Sequence, residues 1–205
     1  MDKLSYALGL SVGQNLLGSG VSHLDFKVFL DGVETIFQNK QLKVSLEEGQ
    51  KVLEEFFSTV EKRRKEAQKK TADENRVKGL EYLNNNKSKE GVEVTASGLQ
   101  YRMLEDVKHD GEQRRPTPHS RVKCHYEGRL IDGKVFDSSY MRKEPAVFSL
   151  EQVIPGWTEG LQLMSEGTKY EFTIPSEQAY GEVGVPGHIP GNSVLIFTVE
   201  LLEIL

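Results

Sequence analysis

The hydrophobic residues in the first part of the chain recur every three or four positions, which predicts amphipathic helices. Asp25 is a suitable N-cap for a second helix, and Ser45 opens a Ser-Leu-Glu-Glu sequence that matches a capping box at the start of a third. The apolar stripes of the first two helices consist of Leu4, Leu8, Val12 and Leu16, and of Phe29, Leu30, Val33, Ile36 and Phe37. The pattern therefore predicts a chain that begins with short helices.

The third helix is predicted to be long and to change character along its length. Its first apolar stripe ends at Val60, and residues 61–70 hold six basic and two acidic side chains. Helical periodicity returns after residue 76, so one helix is predicted from Leu46 towards Asn86, about 60 Å long at the standard rise. A helix that is polar on all sides over several turns usually connects separate bodies.

After Gly91 the hydrophobic pattern changes from helical spacing to alternation, which predicts strands. The alternating segments lie at residues 99–103, 122–126, 169–174 and 194–204. One short helix is predicted among them, over residues 156–164. Several strands with a single packed helix make an antiparallel α+β domain in which helix and sheet enclose one core.

The helices at the start of the chain have too little interior to bury their own apolar stripes. We therefore predict a partner for them, most simply a second copy of the same chain. The predicted organisation is an all-helical dimerisation domain over residues 1–44, a linking helix over 45–90 whose start packs in that domain, and the α+β domain over 91–205. All seven prolines lie at Pro116 or later, in agreement with a helical first part and a turn-rich second part.

The charge pattern gives no reason to expect a nucleic acid or a membrane as partner. The net charge is -5, which provides no general attraction to anionic surfaces. The basic run at residues 62–65 has two readings, a nucleic-acid patch or a solvated helix face. It lacks interleaved aromatic residues and is flanked by Glu61 and Glu66, which favours the solvated face.

The single cysteine excludes an intrachain disulfide framework and is typical of a reducing compartment. The first residues contain no basic segment followed by a long apolar run, so neither a secretory signal nor a membrane span is visible. A cytoplasmic location is therefore expected, or a periplasmic one if an export signal has been removed.

Aromatic and branched residues, punctuated by glycine and proline between Tyr126 and Phe197, predict a small apolar pocket. Many of them lie at strand ends or beside turns, where binding groups concentrate. Simpler readings stay open for two residues. Asp137 suits an Asx turn with Ser138, and Trp157, the only tryptophan, would by default fill the core.

A series of short motifs follows in a set order along the second part of the chain. They are His125-Tyr126-Glu127-Gly128, Gly133 to Ser139, Val153-Ile154-Pro155-Gly156-Trp157, Ala179-Tyr180-Gly181 and Leu195 to Leu201. In this order and spacing the region from about Gly98 to Leu205 resembles the FKBP family of peptidyl-prolyl cis/trans isomerases. The first part, with Leu4-Ser5-Tyr6-Ala7-Leu8-Gly9, resembles the N-terminal extension of bacterial FKBP22 and macrophage infectivity potentiator (Mip) proteins. The resemblance implies a curved antiparallel sheet wrapped around a short helix, and an intertwined homodimer formed by the N-terminal helices.

The resemblance also implies which residues bind and isomerise the substrate. The residues expected to act in catalysis are Asp137, Tyr180, Phe197, Phe136 and Trp157. The expected substrate-binding residues are Tyr126, Arg142, Phe148, Val153, Ile154, Val185 and Ile189. The substrate proline ring would lie over Trp157, and the amide of Ile154 and the hydroxyl of Tyr180 would bond ligand carbonyls. The carboxylate of Asp137 would face the bound amide, with Arg142 beside it.

Isomerisation of an X-Pro bond breaks no covalent bond, because the barrier comes from amide resonance alone. No nucleophile, metal or cofactor is therefore expected. Cys124 and His125 point to opposite faces of one strand, so a metal site with the nearby His119 is not expected. The expected partners are proline-containing unfolded or nascent polypeptides.

Two positions depart from the family pattern. Ala146 stands where an aromatic residue is common, and Val185 stands where a histidine is common, so the pocket rim is altered. Binding of macrolide inhibitors such as tacrolimus and rapamycin is expected from the resemblance. The alternative function is that of a polypeptide-binding chaperone whose pocket only samples prolines. Removal of residues 1–90 is expected to spare isomerisation of a short peptide and to impair action on unfolded proteins.

Overall fold

The computed structural model of the protein describes residues 1–106 and 114–205. The chain forms two compact units, Met1–Glu66 and Ala67–Leu205. The first is helical, and the second contains an antiparallel sheet with a short helix. The predicted fold class is therefore confirmed. The division between the units falls inside the long helix, and the domain boundaries after residues 44 and 90 stay predictions.

The first part of the chain forms the helices α1 (Lys3–Gly18), α2 (Phe26–Phe37) and α3 (Leu46–Asn86). The second and third begin at the capping side chains that were expected. The carboxylate of Asp25 accepts hydrogen bonds from the amides of Lys27 and Val28 at 3.0 and 3.1 Å. The hydroxyl of Ser45 accepts one from the amide of Glu48 at 3.1 Å. These bonds satisfy amides that have no partner within the helix, and the predicted long third helix is confirmed.

The apolar residues of the first unit are largely exposed in the single chain. Within residues 1–66, all of which are described, only Thr35 is buried. Residues with more than half of their surface exposed include Leu4, Tyr6, Leu8, Phe26, Leu30 and Phe37. An exposed apolar surface of this extent is typical of an interaction surface.

The second unit is built on an antiparallel sheet. Within the described residues its strands are β1 (Glu93–Val94), β2 (Gln100–Glu105), β3 (Arg121–Leu130), β4 (Val135–Ser138), β5 (Ala146–Ser149), β6 (Lys169–Ile174) and β7 (Leu195–Ile204). Their order is β1-β2-β6-β7-β3-β4, and β5 also pairs with β3. The two longest strands, β3 and β7, are neighbours in the middle of the sheet.

The four predicted strands correspond to β2, β3, β6 and β7 and are confirmed. The alternation does not reveal β1, β4 or β5, which have only two or four residues. It also does not reveal the short helix α4 (Ser139–Arg142) or a 3₁₀ turn at Ser176–Gln178. The helix predicted over residues 156–164 is α5 (Pro155–Leu161), which ends earlier than expected.

The core of the second unit is formed by residues of the sheet, of α5 and of the segments that connect these elements. Fully buried members include Leu99, Leu161, Met164, Phe172, Val199 and Leu201. Pro155 occupies the first turn of α5, a position at which proline has no amide to leave unpaired. Trp157 follows in the same turn and belongs to the core.

The part of α3 after residue 66 belongs to the second unit. Asn86 is buried and donates through Nδ2 to Oε1 of Gln100 at 2.9 Å and to Oγ1 of Thr173 at 3.3 Å. In return, Nε2 of Gln100 donates to the carbonyl of Leu83 at 2.9 Å. These buried polar groups satisfy one another, and they fasten the end of α3 to β2 and β6.

Candidate active site

One cavity of about 300 Å³ collects most of the predicted site residues. All of them except Arg142 line it, and these are Tyr126, Phe136, Asp137, Phe148, Val153, Ile154, Trp157, Tyr180, Val185, Ile189 and Phe197. Gln152 lines the cavity as well. Sequence reasoning missed this residue because a single polar residue in a loop carries no periodic signal.

The cavity is assembled from segments that are far apart in the sequence. The sheet contributes Tyr126 from β3, Phe136 and Asp137 from β4, Phe148 from β5 and Phe197 from β7. The segment leading into α5 contributes residues 152–154, and α5 itself contributes Trp157. A loop between the 3₁₀ turn and β7 contributes Tyr180, Val185 and Ile189.

Trp157 is the centre of an aromatic cluster in the cavity wall. Its ring centroid lies 5.3 Å from that of Tyr126, 5.1 Å from that of Phe148 and 5.2 Å from that of Phe197. All three contacts are edge-to-face, which is favourable because the positive edge of one ring meets the negative face of another. Trp157 is only 4% exposed, so it fills the core and lines the cavity at the same time.

Gly128 in β3 allows two of the rings to approach the sheet closely. A Cβ atom at this position would lie 2.6 Å from Cε1 of Phe197 and 2.7 Å from Cε2 of Phe136. These two rings meet edge-to-face with their centroids 5.5 Å apart. Gly128 thus shapes the cavity without lining it. The sequence places it in a motif but gives no sign of this role.

Three polar side chains form a hydrogen-bonded group at the cavity edge. The hydroxyl of Tyr126 donates to Oδ2 of Asp137 at 2.5 Å. Arg142 donates from Nη1 to Oδ1 of Asp137 and from Nη2 to the hydroxyl oxygen of Tyr126 at 2.7 Å. Arg142 therefore does not line the cavity, but it bonds to two residues that do. Both oxygens of Asp137 are engaged by these two side chains, which fix the carboxylate at the cavity edge.

The protonation states of this group follow from burial and hydrogen bonding. Burial and the hydrogen bond to Asp137 raise the pKa of Tyr126 to about 12, so its hydroxyl keeps its proton at neutral pH. Burial also acts to raise the pKa of Asp137, but the hydrogen bonds from Tyr126 and Arg142 outweigh it and hold that pKa below the ordinary 3.8. The group thus comprises a neutral phenol, a carboxylate and a guanidinium.

The loop that contains Tyr180 forms another wall of the cavity. The amide of Val185 donates to the carbonyl of Ile189 at 2.7 Å, and the amide of Ile189 donates back at 2.9 Å. Burial and the nearby charge of Asp137 raise the pKa of Tyr180, so its hydroxyl is a protonated donor at neutral pH. Ile189 is buried, whereas Tyr180 is 41% exposed.

The two departures from the family pattern lie in different places. Val185 lines the cavity, so the departure expected at this position falls in the cavity wall itself. Ala146 is partly buried against the core and is not a lining residue. Two residues further along β5, Phe148 places its ring 5.5 Å from that of Tyr126.

His125, a potentially reactive side chain of the second unit, has partners close to it. Nδ1 of His125 lies 3.0 Å from the hydroxyl of Ser139, and its ring stacks on Tyr140 at 4.8 Å.

Within residues 1–106 and 114–205, no group of three His, Cys, Asp or Glu side chains is placed to hold a metal ion. The same part of the chain contains no helix that is both long and apolar enough to cross a membrane.

Comparison with known proteins agrees with this fold. Residues 112–202 match the family described as FKBP-type peptidyl-prolyl cis-trans isomerase. Residues 1–103 match the domain amino-terminal to that isomerase. The crystal structure of FkpA from Escherichia coli is similar with a TM-score of 0.72 and 40% identity, over 98% of this chain and 95% of that one.

Curated relatives extend over the whole chain. The FKBP-type 22 kDa peptidyl-prolyl cis-trans isomerase of Escherichia coli is 44% identical over 98% of this chain and 94% of that protein. FkpA of Aeromonas hydrophila is 47% identical over 99% of this chain and 76% of its own length. The outer membrane protein MIP of Legionella longbeachae is 38% identical over 99% of this chain and 85% of its own length.

The chain therefore belongs to the FKBP-type peptidyl-prolyl cis-trans isomerase family, and its enzyme class is that of a prolyl isomerase. The resemblance seen in the sequence is confirmed along its whole length. The expected cytoplasmic location finds no support among these relatives, one of which is named as an outer membrane protein. The alternative location outside the cytoplasm is consistent with them.

Proposed function

We propose that the cavity lined by Trp157 and Phe197 is the site at which the enzyme binds proline and rotates the preceding amide bond. The observation that carries this proposal is the meeting of six aromatic rings with one fixed carboxylate in a single cavity of about 300 Å³. A cavity of this size and composition suits a proline ring with its adjoining amide. Catalysis needs no covalent intermediate, because the barrier of roughly 18–20 kcal/mol arises from resonance.

The apolar wall favours the transition state for a physical reason. A planar amide carries partial charges on oxygen and nitrogen through resonance, and rotation removes that conjugation. The twisted amide is therefore less dipolar, and it loses less solvation than the planar form when it leaves water. A cavity that binds the twisted form more tightly lowers the barrier. We assign this role to the rings of Phe136, Trp157 and Phe197.

The polar side chains of Tyr126, Asp137 and Arg142 at the cavity edge act on the carbonyl group of the rotating amide. Loss of conjugation makes the carbonyl carbon more electrophilic, and the ionised carboxylate of Asp137 stabilises it. Tyr126 and Arg142 act as positioning residues, because they engage the two oxygens of that carboxylate. The hydroxyl of Tyr180 donates to a carbonyl oxygen of the substrate. The backbone amide of Ile154 is assigned the same role.

Exchange NMR of a short X-Pro peptide tests this assignment. The wild-type protein is expected to accelerate cis/trans interconversion, whereas Asp137→Leu should lower kcat/KM at least about tenfold, corresponding to 1.4 kcal/mol of transition-state stabilisation. Asp73→Leu is the matched control, since Asp73 is an exposed carboxylate in the same unit, on α3. Circular dichroism verifies that both variants are folded.

Two results would count against the assignment. Wild-type activity in Asp137→Leu would remove the carboxylate from the mechanism. Equal loss in Asp137→Leu and Asp73→Leu would show a general effect of the substitution. A folded wild-type protein without activity on the peptide would favour the alternative function, a polypeptide-binding chaperone.

We also propose that the chain acts as a homodimer with chaperone activity towards unfolded polypeptides. The exposed apolar residues of α1 and α2 support this, because a single chain leaves them in water. A second copy would cover part of that surface. Two catalytic units joined in this way would raise the effective concentration of prolyl sites along one long substrate.

Macrolides are proposed as ligands of the same cavity. Tacrolimus or rapamycin would occupy the space lined by Trp157 and Ile154, and should compete with the peptide. Val185 changes one wall, so the affinity is expected to respond to Val185→His. Inhibition of peptide isomerisation by tacrolimus tests the proposal, and no inhibition at millimolar ligand would refute it.

A location outside the cytoplasm is proposed in place of the cytoplasmic one. Cys124 does not require a reducing compartment, because it is buried and burial raises the pKa of its thiol to about 12. Such a thiol is protonated and unreactive, so it suits an oxidising compartment equally well. Release of the protein from source cells by osmotic shock would support a periplasmic location, and its retention with cytoplasmic enzymes would contradict it.

A further inference from the structure

The loop over residues 181–192 supplies two residues that line the cavity, Val185 and Ile189. Its two ends are joined by a hydrogen bond from the amide of Asn192 to the carbonyl of Gly181 at 2.8 Å. In its middle, Val185 and Ile189 exchange backbone hydrogen bonds. The loop is thus closed by its own backbone hydrogen bonds, and its position relative to the cavity also depends on its contacts with other segments.

The second part of α3 holds this loop from outside through two side-chain amides. Nδ2 of Asn75 donates to the carbonyl of Gly191 at 3.0 Å. In the opposite direction, Nδ2 of Asn192 donates to the carbonyl of Ala72 at 3.2 Å. Ala72 is only 4% exposed. The helix therefore contacts the end of the loop, two and three residues after Ile189.

The contact continues along the next turns of the helix. A Cβ atom at Gly79 would lie 2.8 Å from Cγ2 of Val194, so the absence of a side chain lets α3 pack against the chain where it enters β7. Gly79 weakens the helical prediction in the sequence, and this close approach explains its presence. The helix thus packs against the loop and against the residue that precedes β7.

We propose that Asn75 and Asn192 form a clamp between α3 and the loop over residues 181–192, which keeps Val185 and Ile189 in place against bound substrate. These two asparagines are positioning residues for the prolyl cavity, although neither lines it. The long helix is then part of the substrate-binding apparatus of the catalytic unit. The catalytic consequence rests on the proposed function, whereas the clamp itself does not.

Two substitutions of Asn75 and one control test the clamp in the full-length protein. Asn75→Ala removes the donor without weakening the helix, since alanine is the better helix former. Asn75→Asp keeps the shape but cannot donate to the carbonyl of Gly191. Asn84→Ala is the matched control, because Asn84 is exposed near the end of the same helix, where its side chain accepts a hydrogen bond from Lys87.

Hydrogen–deuterium exchange is the first readout, because it does not depend on activity. In both Asn75 variants the amides of residues 184–192 are expected to exchange about 3- to 10-fold faster, the range that corresponds to one lost hydrogen bond. The KM for a short X-Pro peptide should rise by about the same factor with little change in kcat, because the loop holds substrate before and during rotation. Asn84→Ala should match the wild type in both measurements.

The outcomes separate the clamp from the proposed function. Unchanged loop exchange in both Asn75 variants would overturn the clamp, even in a fully active enzyme. Faster exchange with unchanged KM would overturn its role in substrate binding. If the wild-type protein showed no isomerase activity, the proposed function would fall, and the exchange experiment would still decide whether α3 holds the loop.

Discussion

The hydroxyl of Tyr126 donates a hydrogen bond of 2.5 Å to the carboxylate of Asp137, across the antiparallel pair β3 and β4. The bond requires a protonated phenol as donor and an ionised carboxylate as acceptor. It therefore acts to raise the pKa of Tyr126 and to lower the pKa of Asp137. This bond determines where the only acidic side chain among the cavity-lining residues points. Its removal should therefore be visible in the titration of Asp137.

The substitution Tyr126→Phe is expected to raise the pKa of Asp137. In the wild type that pKa lies below 3.8, because two hydrogen-bonding partners outweigh burial. Without the phenol, burial acts only against Arg142 and the backbone amide of Ser138. The carboxyl carbon of Asp137, followed by NMR between pH 2 and 7, reports the midpoint directly. An unchanged midpoint in Tyr126→Phe would show that this bond does not stabilise the carboxylate.

The same depressed pKa predicts how stability depends on pH. A carboxyl group whose pKa is lower in the folded than in the unfolded state stabilises the fold above its unfolded pKa. That contribution disappears as the pH falls through the folded pKa. The difference in unfolding free energy between wild type and Tyr126→Phe should therefore be constant from pH 5 to 7 and shrink below about pH 4. A difference that grows on acidification would contradict the assignment of charge.

The substitution Gly128→Ala is expected to distort the cavity and destabilise the second unit. The added methyl group would force the rings of Phe136 and Phe197 away from β3. Overpacking of this kind costs about 1–3 kcal/mol, which denaturant unfolding can resolve. Peptide isomerisation should fall as well, because both rings line the cavity. Unchanged stability and activity would show that the rings move aside without cost.

The sequence is sufficient to predict the fold where elements are long. The 41 residues of α3 and the ten residues each of β3 and β7 carry enough periodic positions to be recognised. The four-residue strands β4 and β5 do not, and they are strands because β3 pairs with them. Their position depends on tertiary contacts that a local pattern cannot contain.

The candidate site, like the fold, could be predicted from the sequence only in part. The motifs indicate the aromatic residues and Asp137 through resemblance, and the structure brings them to one cavity. The roles of Gly128 and Asn75 depend on distances to residues far along the chain, Phe197 and Gly191. One sequence without its fold contains no information on those distances. Sequence reasoning therefore misses positioning roles, such as that of Asn75, that no motif indicates.

Dimerisation through the first unit predicts a specific response to charge. The full-length protein should sediment at about twice the 23.1 kDa of one chain. Leu8→Asp places a carboxylate on the exposed apolar surface of α1 and should weaken the dimer more than about tenfold, because burial of an unpaired charge is costly. Lys62→Asp is the control, since it changes charge within the polar stretch of α3. Isomerisation of a short peptide should be unaffected by either substitution.

Three results would contradict this prediction. A wild-type protein that sediments as a monomer at micromolar concentration would exclude the homodimer. Dissociation by Lys62→Asp as well as by Leu8→Asp would indicate a general effect of charge. Loss of peptide activity together with dissociation would show that the catalytic unit depends on the second copy.

Removal of residues 1–66 is expected to separate isomerisation from chaperone activity. The deletion ends at residue 66, because the later part of α3 belongs to the second compact unit and Asn75 contacts Gly191 there. The fragment over residues 67–205 should isomerise a short peptide at the wild-type rate. It should be much slower on an unfolded protein whose refolding is limited by an X-Pro bond, a process that takes tens of seconds unaided. Refolding kinetics with equal concentrations of fragment and full-length protein make the comparison. Equal activity of the two on the unfolded protein would show that the first unit contributes nothing to substrate capture, and equal loss on both substrates would show that the two activities share one structural requirement.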